Sequence, residues 1–304
     1  MSELVELASG LRFPEGPVAM PDGSVLLVEI ARGTLSRVRP GGTIEVVADC
    51  GGGPNGAAIG PDGAVYLCNN GGFFDWNEVE GIGLVPSPGS AHAGGSIQRV
   101  DPTTGEVRVV YTACGGDPLI APNDLVFDVH GGFWFTDHGV TGDSTQAAVL
   151  YAHPDGSRIE GVVYGLESPN GIGLSPDGSR LYVAETHHGR LWVWEVTGPG
   201  RVAMSPSSPG RHGGELLHDA PEGQLFDSLA VDGDGWVCVA TIVNGGITCV
   251  SPDGSTVEHV PVPDTIVTNI CFGGAGGRTA FVTASGTGRL FACEWPRPGL
   301  PLAF

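Results

Sequence analysis

Six short stretches of this chain begin with the same kind of side chain. At the start of each apolar run stands an oxygen-bearing residue: Glu15, Asn55, Asn123, Asn170, Asp227 and Asn269. Strands disfavour Asn and acids, and one such residue before a strand is ordinarily part of a turn. Six at equivalent positions call for another reason. The set is all oxygen, with no Cys or His in it. Carboxylate and amide oxygens suit a hard divalent cation, Ca²⁺, Mg²⁺ or Mn²⁺, with water in the open positions. Glu15 and Asp227 would balance its charge, and the Asn residues would add ligands without overcharging the site.

These positions are held by repeats. The copies read PEGPVAMPDGSVLLVE from Pro14, PNGAAIGPDGAVYLCN from Pro54, PNDLVFDVHGGFWFTD from Pro122, PNGIGLSPDGSRLYVAET from Pro169, FDSLAVDGDGWVCVAT from Phe226 and TNICFGGAGGRTAFVTAS from Thr268. Their starts lie 40, 68, 47, 57 and 42 residues apart. Several short strands per repeat at that spacing mark a β-propeller. The copy at 169 shows the local chemistry. In Ser175-Pro176-Asp177-Gly178, Pro presets φ, Asp bonds its own backbone and Gly accepts positive φ. Residues 181–184 read as a strand buried on both faces, and 191–196 as the next strand after a turn at Gly189-Arg190. No long run shows apolar residues at helical spacing.

The expected fold is therefore all-β: a six-bladed β-propeller with a central metal site, one domain over 1–304. Residues 4–8 would supply a strand that completes the last blade. In a propeller the innermost strand of each blade lines a central channel, so the six polar residues would converge on one ring at one mouth. Gly16, Gly56 and Gly171, directly after them, remove bulk where the strands crowd.

Composition agrees. Gly is abundant, 51 of 304 residues, and spread through turns. The net charge of −20, from 34 acids against 14 bases, repels phosphate backbones and anionic membranes. Neither nucleic acid nor a membrane is an expected partner. The N-terminus MSELVELASGLRF has no basic segment followed by a long apolar run, so a cytoplasmic location is expected. Seven Cys, at 50, 68, 114, 238, 249, 271 and 293, form no CxxC pair and read as reduced core thiols. No G-x-S-x-G elbow occurs, and Gly51-Gly52-Gly53 lacks the helix of a nucleotide loop. Ser285–Gly288 reads as a hairpin turn.

The second repeat carries an insertion, 71–95, rich in Gly and Pro and containing Phe73, Phe74 and Trp76. Such a loop could form a wall over one propeller face or simply pack on a neighbouring blade. With Trp134, these aromatics hint at a substrate less polar than a sugar. The loop-like 201–214 suggests no role.

In combination, PEGP at 14–17, PNDLVFD at 122–128 with FTD at 135–137, SPNGIGLSPDG at 168–178 with LYVAET at 181–186, FDSLAVD at 226–232 and FVTASGTGRLFACE at 281–294 resemble the senescence-marker-protein (regucalcin)/gluconolactonase/luciferin-regenerating-enzyme family over essentially the whole chain. The resemblance implies one divalent ion at the channel mouth, Ca²⁺ foremost, with Mg²⁺, Mn²⁺, Zn²⁺ or Fe²⁺ as alternatives. Its implied ligands are Glu15, Asn170 and Asp227, with Asn123 as a further ligand or a substrate holder. Where the family often has Pro-Asp-Gly, this chain has Phe226-Asp227-Ser228, which keeps the Asp. The implied activity is opening of a small lactone to a hydroxy acid. Asp227 would be general base or nucleophile, with Asn123 also in the catalytic group. Asn55, Phe73, Trp76, His138 and His187 are expected on the substrate's side of the mouth. His138 or His187, or less readily Glu185, could supply the leaving group's proton. The alternatives are a phosphotriester hydrolase on the same metal and a non-catalytic calcium-binding or interaction propeller.

Overall fold

The structure, a computed structural model, describes residues 3–304. Six antiparallel blades follow one another along the chain. The first is Pro14–Ala19, Val25–Glu29, Thr34–Val38 and Ile44–Asp49; the second is Pro54–Ile59, Val65–Asn69, Ser96–Val100 and Val107–Tyr111. Blade 3 is Pro122–Phe127, Phe133–Asp137, Ala148–Ala152 and Ile159–Tyr164; blade 4 is Pro169–Leu174, Arg180–Glu185, Arg190–Gly198 and Glu215–Asp219. Blade 5 is Leu225–Val231, Val237–Ile242, Gly246–Val250 and Val257–Pro261. Blade 6 takes three strands from the end of the chain, Val267–Gly273, Thr279–Ala284 and Arg289–Glu294, and its outermost strand from the beginning, Val5–Ser9. That strand lies one residue later than the sequence suggested.

The core is divided among the blade interfaces. Six apolar clusters each join two neighbouring blades, and the sixth joins Leu290 of blade 6 to Leu27 of blade 1, closing the ring. Strands 25–29 and 181–184 are buried on both faces because each side packs on an adjacent blade. Every large side chain enclosed this way contributes roughly 1.5–3 kcal/mol. Trp134 is one of them. It sits fully buried against Tyr151 between blades 3 and 4, so it offers no surface to a substrate.

Turns between first and second strands hold themselves. Asp22, Asp62, Asp128, Asp177 and Asp232 each accept the N–H two residues on. These turns all lie on one face. The starts of the innermost strands and the ends of their second strands lie on the other, as the pairings Pro14 with Glu29, Pro54 with Asn69 and Pro169 with Glu185 require. All seven cysteines are free. Among the described residues the only helical segment is one 3₁₀ turn, Ala275–Gly277, and no helix could cross a membrane.

Two segments cover the faces. The insertion between the second and third strands of blade 2 forms a hairpin, Phe74–Val79 and Gly83–Pro88, on the face of the strand starts. It crosses to blade 6, where Leu84 N–H donates to Gly286 O at 2.8 Å. A Cβ on Gly83 would stand 1.8 Å from that same oxygen, so a glycine is required at the crossing. On the opposite face the C-terminal residues leave blade 6 and run along the ends of the innermost strands. Gly299 N–H donates to Gly277 O, Gly233 N–H donates to Pro298 O, and Phe304 meets the ring of Phe127 in blade 3.

Candidate active site at the channel mouth

The six polar residues stand where the sequence places them. In every blade the pairing of first and second strands slips by one residue at this point. Pro54 faces Asn69 but Ala57 faces Leu67, and the same slip follows Glu15, Pro122, Pro169 and Phe226 and precedes Asn269. Such a bulge re-aims a side chain out of the pleat. The adjoining glycines explain the close approach. A Cβ on Gly16 would lie 2.6 Å from Asn55 O, on Gly56 2.6 Å from Asp124 Cα, and on Gly171 2.5 Å from Leu229 N. Each glycine touches the backbone of the next blade, so none of the three contacts can relax by a rotamer change.

The ring is knit across blades. Asn269 Nδ2 donates to Glu15 Oε2 at 2.8 Å, and Ser228 Oγ donates to Asn170 Oδ1 at 3.3 Å. Asn170 also bonds Asp227. Thr136 Oγ1 donates to Asn170 O at 2.6 Å, tying blade 3 to blade 4. Asn55, Asn123, Asn170 and Asn269 are all buried, whereas Asp227 remains partly open. Two acceptors have no partner: Glu15 Oε1 and Asn123 Oδ1 are buried and unbonded. An unmet buried acceptor is costly, and two of them facing an acidic ring fit a cation.

A third carboxylate joins Glu15 and Asp227. Asp124 is buried directly after Asn123, where three other blades have glycine. It accepts from Leu125 N–H at 2.9 Å and from Ser228. Burial raises the pKa of Asp124 to about 7, and burial together with the charge of Asp124 raises Asp227 to about 7. Glu15 is raised well above its ordinary value by burial and then by Asp227 and Asp124. Three neighbouring acids, two of them buried, oppose one another's ionisation. Among the described residues no three His, Cys, Asp or Glu side chains gather at metal-ligand spacing. A cation here would thus rest on two carboxylates plus amide oxygens. Sequence reading missed Asp124; the signal was a carboxylate in a slot that three other repeats fill with glycine.

The rim divides the remaining expected residues. Phe73 is half-buried, 5.5 Å from the ring of His92 and 6.0 Å from that of His138. Trp76 packs on Phe13 at 4.6 Å, two residues before Glu15. His138 is buried, and desolvation lowers its pKa to about 4, so it is neutral at pH 7. His187 is exposed beside it, 6.2 Å between ring centres. Glu185 is engaged elsewhere: it accepts from Glu167 N–H at 2.8 Å and Trp192 Nε1 at 3.0 Å, bracing a loop. Both of its carboxylate oxygens are thus engaged within the chain.

A family model described as the SMP-30/Gluconolactonase/LRE-like region matches residues 13–286. The gluconolactonase of Zymomonas mobilis is 28% identical, over 92% of this chain and 78% of that protein. Lactonase drp35 of Staphylococcus saprophyticus is 28% identical, over 79% and 67%. Among solved structures, a gluconolactonase from Xanthomonas campestris superposes with a TM-score of 0.76 at 22% identity, over 97% of this chain and 90% of that one. Regucalcin from Agrobacterium tumefaciens, described as a calcium-binding protein, gives 0.75 at 17% identity, over 100% and 97%. These two likenesses support the six-bladed fold. With most of its length matched by the family model, the chain belongs to the SMP-30/gluconolactonase/LRE-like family.

Proposed function

We propose that this protein is a divalent-cation-dependent hydrolase that opens a lactone to its hydroxy acid. The observation that carries the reading is the pair of buried, unpartnered acceptors, Glu15 Oε1 and Asn123 Oδ1, in a ring that also holds Asp227. Relatives named gluconolactonase and lactonase support the reaction class. The description of regucalcin as calcium-binding supports Ca²⁺ as the first ion to test. Glu15, Asn170 and Asp227 would hold the ion, with Asn123 as a further ligand or a substrate holder. When bound, it supplies positive charge that polarises the lactone carbonyl and favours the negative charge developing on its oxygen.

The chain's own groups do the rest. Asp227 is the partly open member of the acidic group, and Asn170 orients it. As general base it takes a proton from the water that attacks the carbonyl carbon. Collapse of the tetrahedral adduct breaks the ring C–O bond, and the same proton returns to the departing alkoxide. Neutral His138 donates a hydrogen bond at the rim but carries no charge. Asn123, spared any internal bond at Oδ1, holds the substrate or joins the ligands.

The test is acid release from sugar, aliphatic and aromatic lactones by chelated protein reloaded with single divalent ions. Turnover that needs an ion and vanishes in Asp227→Asn supports the reading. A folded protein that binds an ion yet opens no lactone overturns it. Cleavage of phosphotriesters instead would reassign the reaction, and ion binding alone would make this a calcium-binding propeller.

A further inference from the structure

Above the ring lies a second tier of side chains, one just past the second strand in five of the six blades. The backbone repeats a single contact there. The N–H groups of Ile30, Asn70, His138, Thr186 and Ser285 donate to Phe13, Gly53, Ala121, Ser168 and Ile266 respectively, each acceptor lying just before an innermost strand. The tier is not uniform around the channel.

On blades 2 to 4 it is polar and underused. Asn70 accepts from Gly72 and Phe73 N–H at 3.1 Å each, but its buried Nδ2 has no partner. The amide lies over Gly53, where a Cβ would come within 2.2 Å of Asn70 Oδ1. The buried hydroxyls of Thr186 and Ser168 also have no partner. Ser168 holds a positive φ of 54°, an uncommon conformation for a residue with a side chain. Thr186 O accepts from Phe226 N–H, so this residue stands between the strands that carry Asn170 and Asp227. On blade 6 the tier residue, Ser285, is polar but spent, its Oγ donating to Pro14 O, and on blade 1 the tier is apolar. Ile30, Phe13 and Ile266 pack there with Ile82, Leu84 and Trp76 of the hairpin.

Buried polar groups are almost always bonded, so three unspent ones at one mouth point to a partner that arrives from outside. We infer that the mouth grips an amphipathic lactone: Asn70, Ser168 and Thr186 bond an edge bearing hydroxyl or ether oxygens, while the hairpin aromatics cover a hydrocarbon edge. The inference rests on the lactonase reading and adds the substrate's two-sided chemistry and three positioning residues. A fully hydroxylated sugar lactone would leave its far edge against apolar side chains. A plain alkyl lactone would leave the three polar groups unmet.

The experiment compares two ligands, a polyhydroxylated δ-lactone and a 6-alkyl-δ-lactone, on the Ca²⁺-loaded full chain. The variants are Thr186→Val with Ser168→Ala, and Trp76→Ala. Loss of two neutral hydrogen bonds should raise KM for the hydroxylated lactone relative to the alkyl one by roughly tenfold. Trp76→Ala should move the ratio the opposite way. The same ratios read as Kd by calorimetry with the corresponding lactams, which cannot be opened this way. Opposite shifts in the two variants support the inference. Equal effects on both ligands, or no effect on either, overturn it. Opposite shifts with the lactams in a protein that opens no lactone would remove the lactonase reading and leave the two-sided mouth standing.

Discussion

The two ends of the channel use the same residue type to opposite effect. On the turn face, aspartates look after themselves. Asp177 accepts from Ser175 Oγ, Ser179 Oγ and Ser179 N–H, and these bonds hold its pKa at about 2. Asp232 is wholly buried but answered by Arg297, whose guanidinium lies 2.5 Å away and 4.2 Å over the ring of Trp236. On the mouth face, Glu15 and Asp124 are buried beside a partly open Asp227, and the three repel one another with Glu15 Oε1 left unbonded. The first end is built to be stable. The second holds interactions in reserve, and that is the physical signature of a site for something not supplied by the chain.

This contrast can be broken by experiment. Asp227→Asn should cut kcat/KM by roughly 10²–10⁴. It should also raise the Tm of the metal-free protein, because one repelling carboxylate is gone. A drop in metal-free Tm would show that Asp227 is structural and erase the distinction. At the other end Arg297→Ala strands the buried Asp232 and should cost about 3–5 kcal/mol in urea unfolding, with turnover retained. Loss of turnover there without loss of stability would mean the tail belongs to the site.

Protonation sharpens the comparison. Asp124 and Asp227 have folded pKa values of about 7, raised above the roughly 4 of an unfolded chain. A raised folded value means the folded state holds extra protons between those limits. Stability from this source is therefore present at low pH and lost as pH rises through about 7. Chelated protein should show a Tm that falls from pH 5 to pH 8, and saturating Ca²⁺ should flatten that slope. A slope unchanged by the ion would place the acids outside its site. The smallest effect belongs to Asp177→Ala, an exposed turn cap whose loss should cost about 0.5 kcal/mol and leave ion affinity unchanged by calorimetry.

Much of this was legible in the residues, for reasons that are local. A Pro-Asp-Gly turn carries its own chemistry in four residues, so the six repeat starts, the strands after them and the ring from Glu15 to Asn269 were all readable. What escaped depends on neighbours in space. Asp124 matters only through its burial beside Ser228 of another blade. Asn70 and Thr186 end second strands as ordinary polar residues would, and their lack of partners is a property of the fold alone. Trp134 showed the converse: an aromatic that composition marks as a surface candidate is enclosed by two blades. The C-terminal run, bare of any motif, proved to span the far face through backbone contacts that no pattern announces.

One consequence follows from the blade that joins Val5–Ser9 to Arg289–Glu294. Within the ring, the strand made first has no partner until the strand made last is complete. Five blades can form in order of synthesis, but the sixth must wait with an exposed strand edge at each end of a nearly complete ring. Ring closure joins the most distant parts of the chain, which makes it the slow step of assembly. Moving the first nine residues to the C-terminus through a short linker would make every blade contiguous, and such a permutant should refold faster than the natural order.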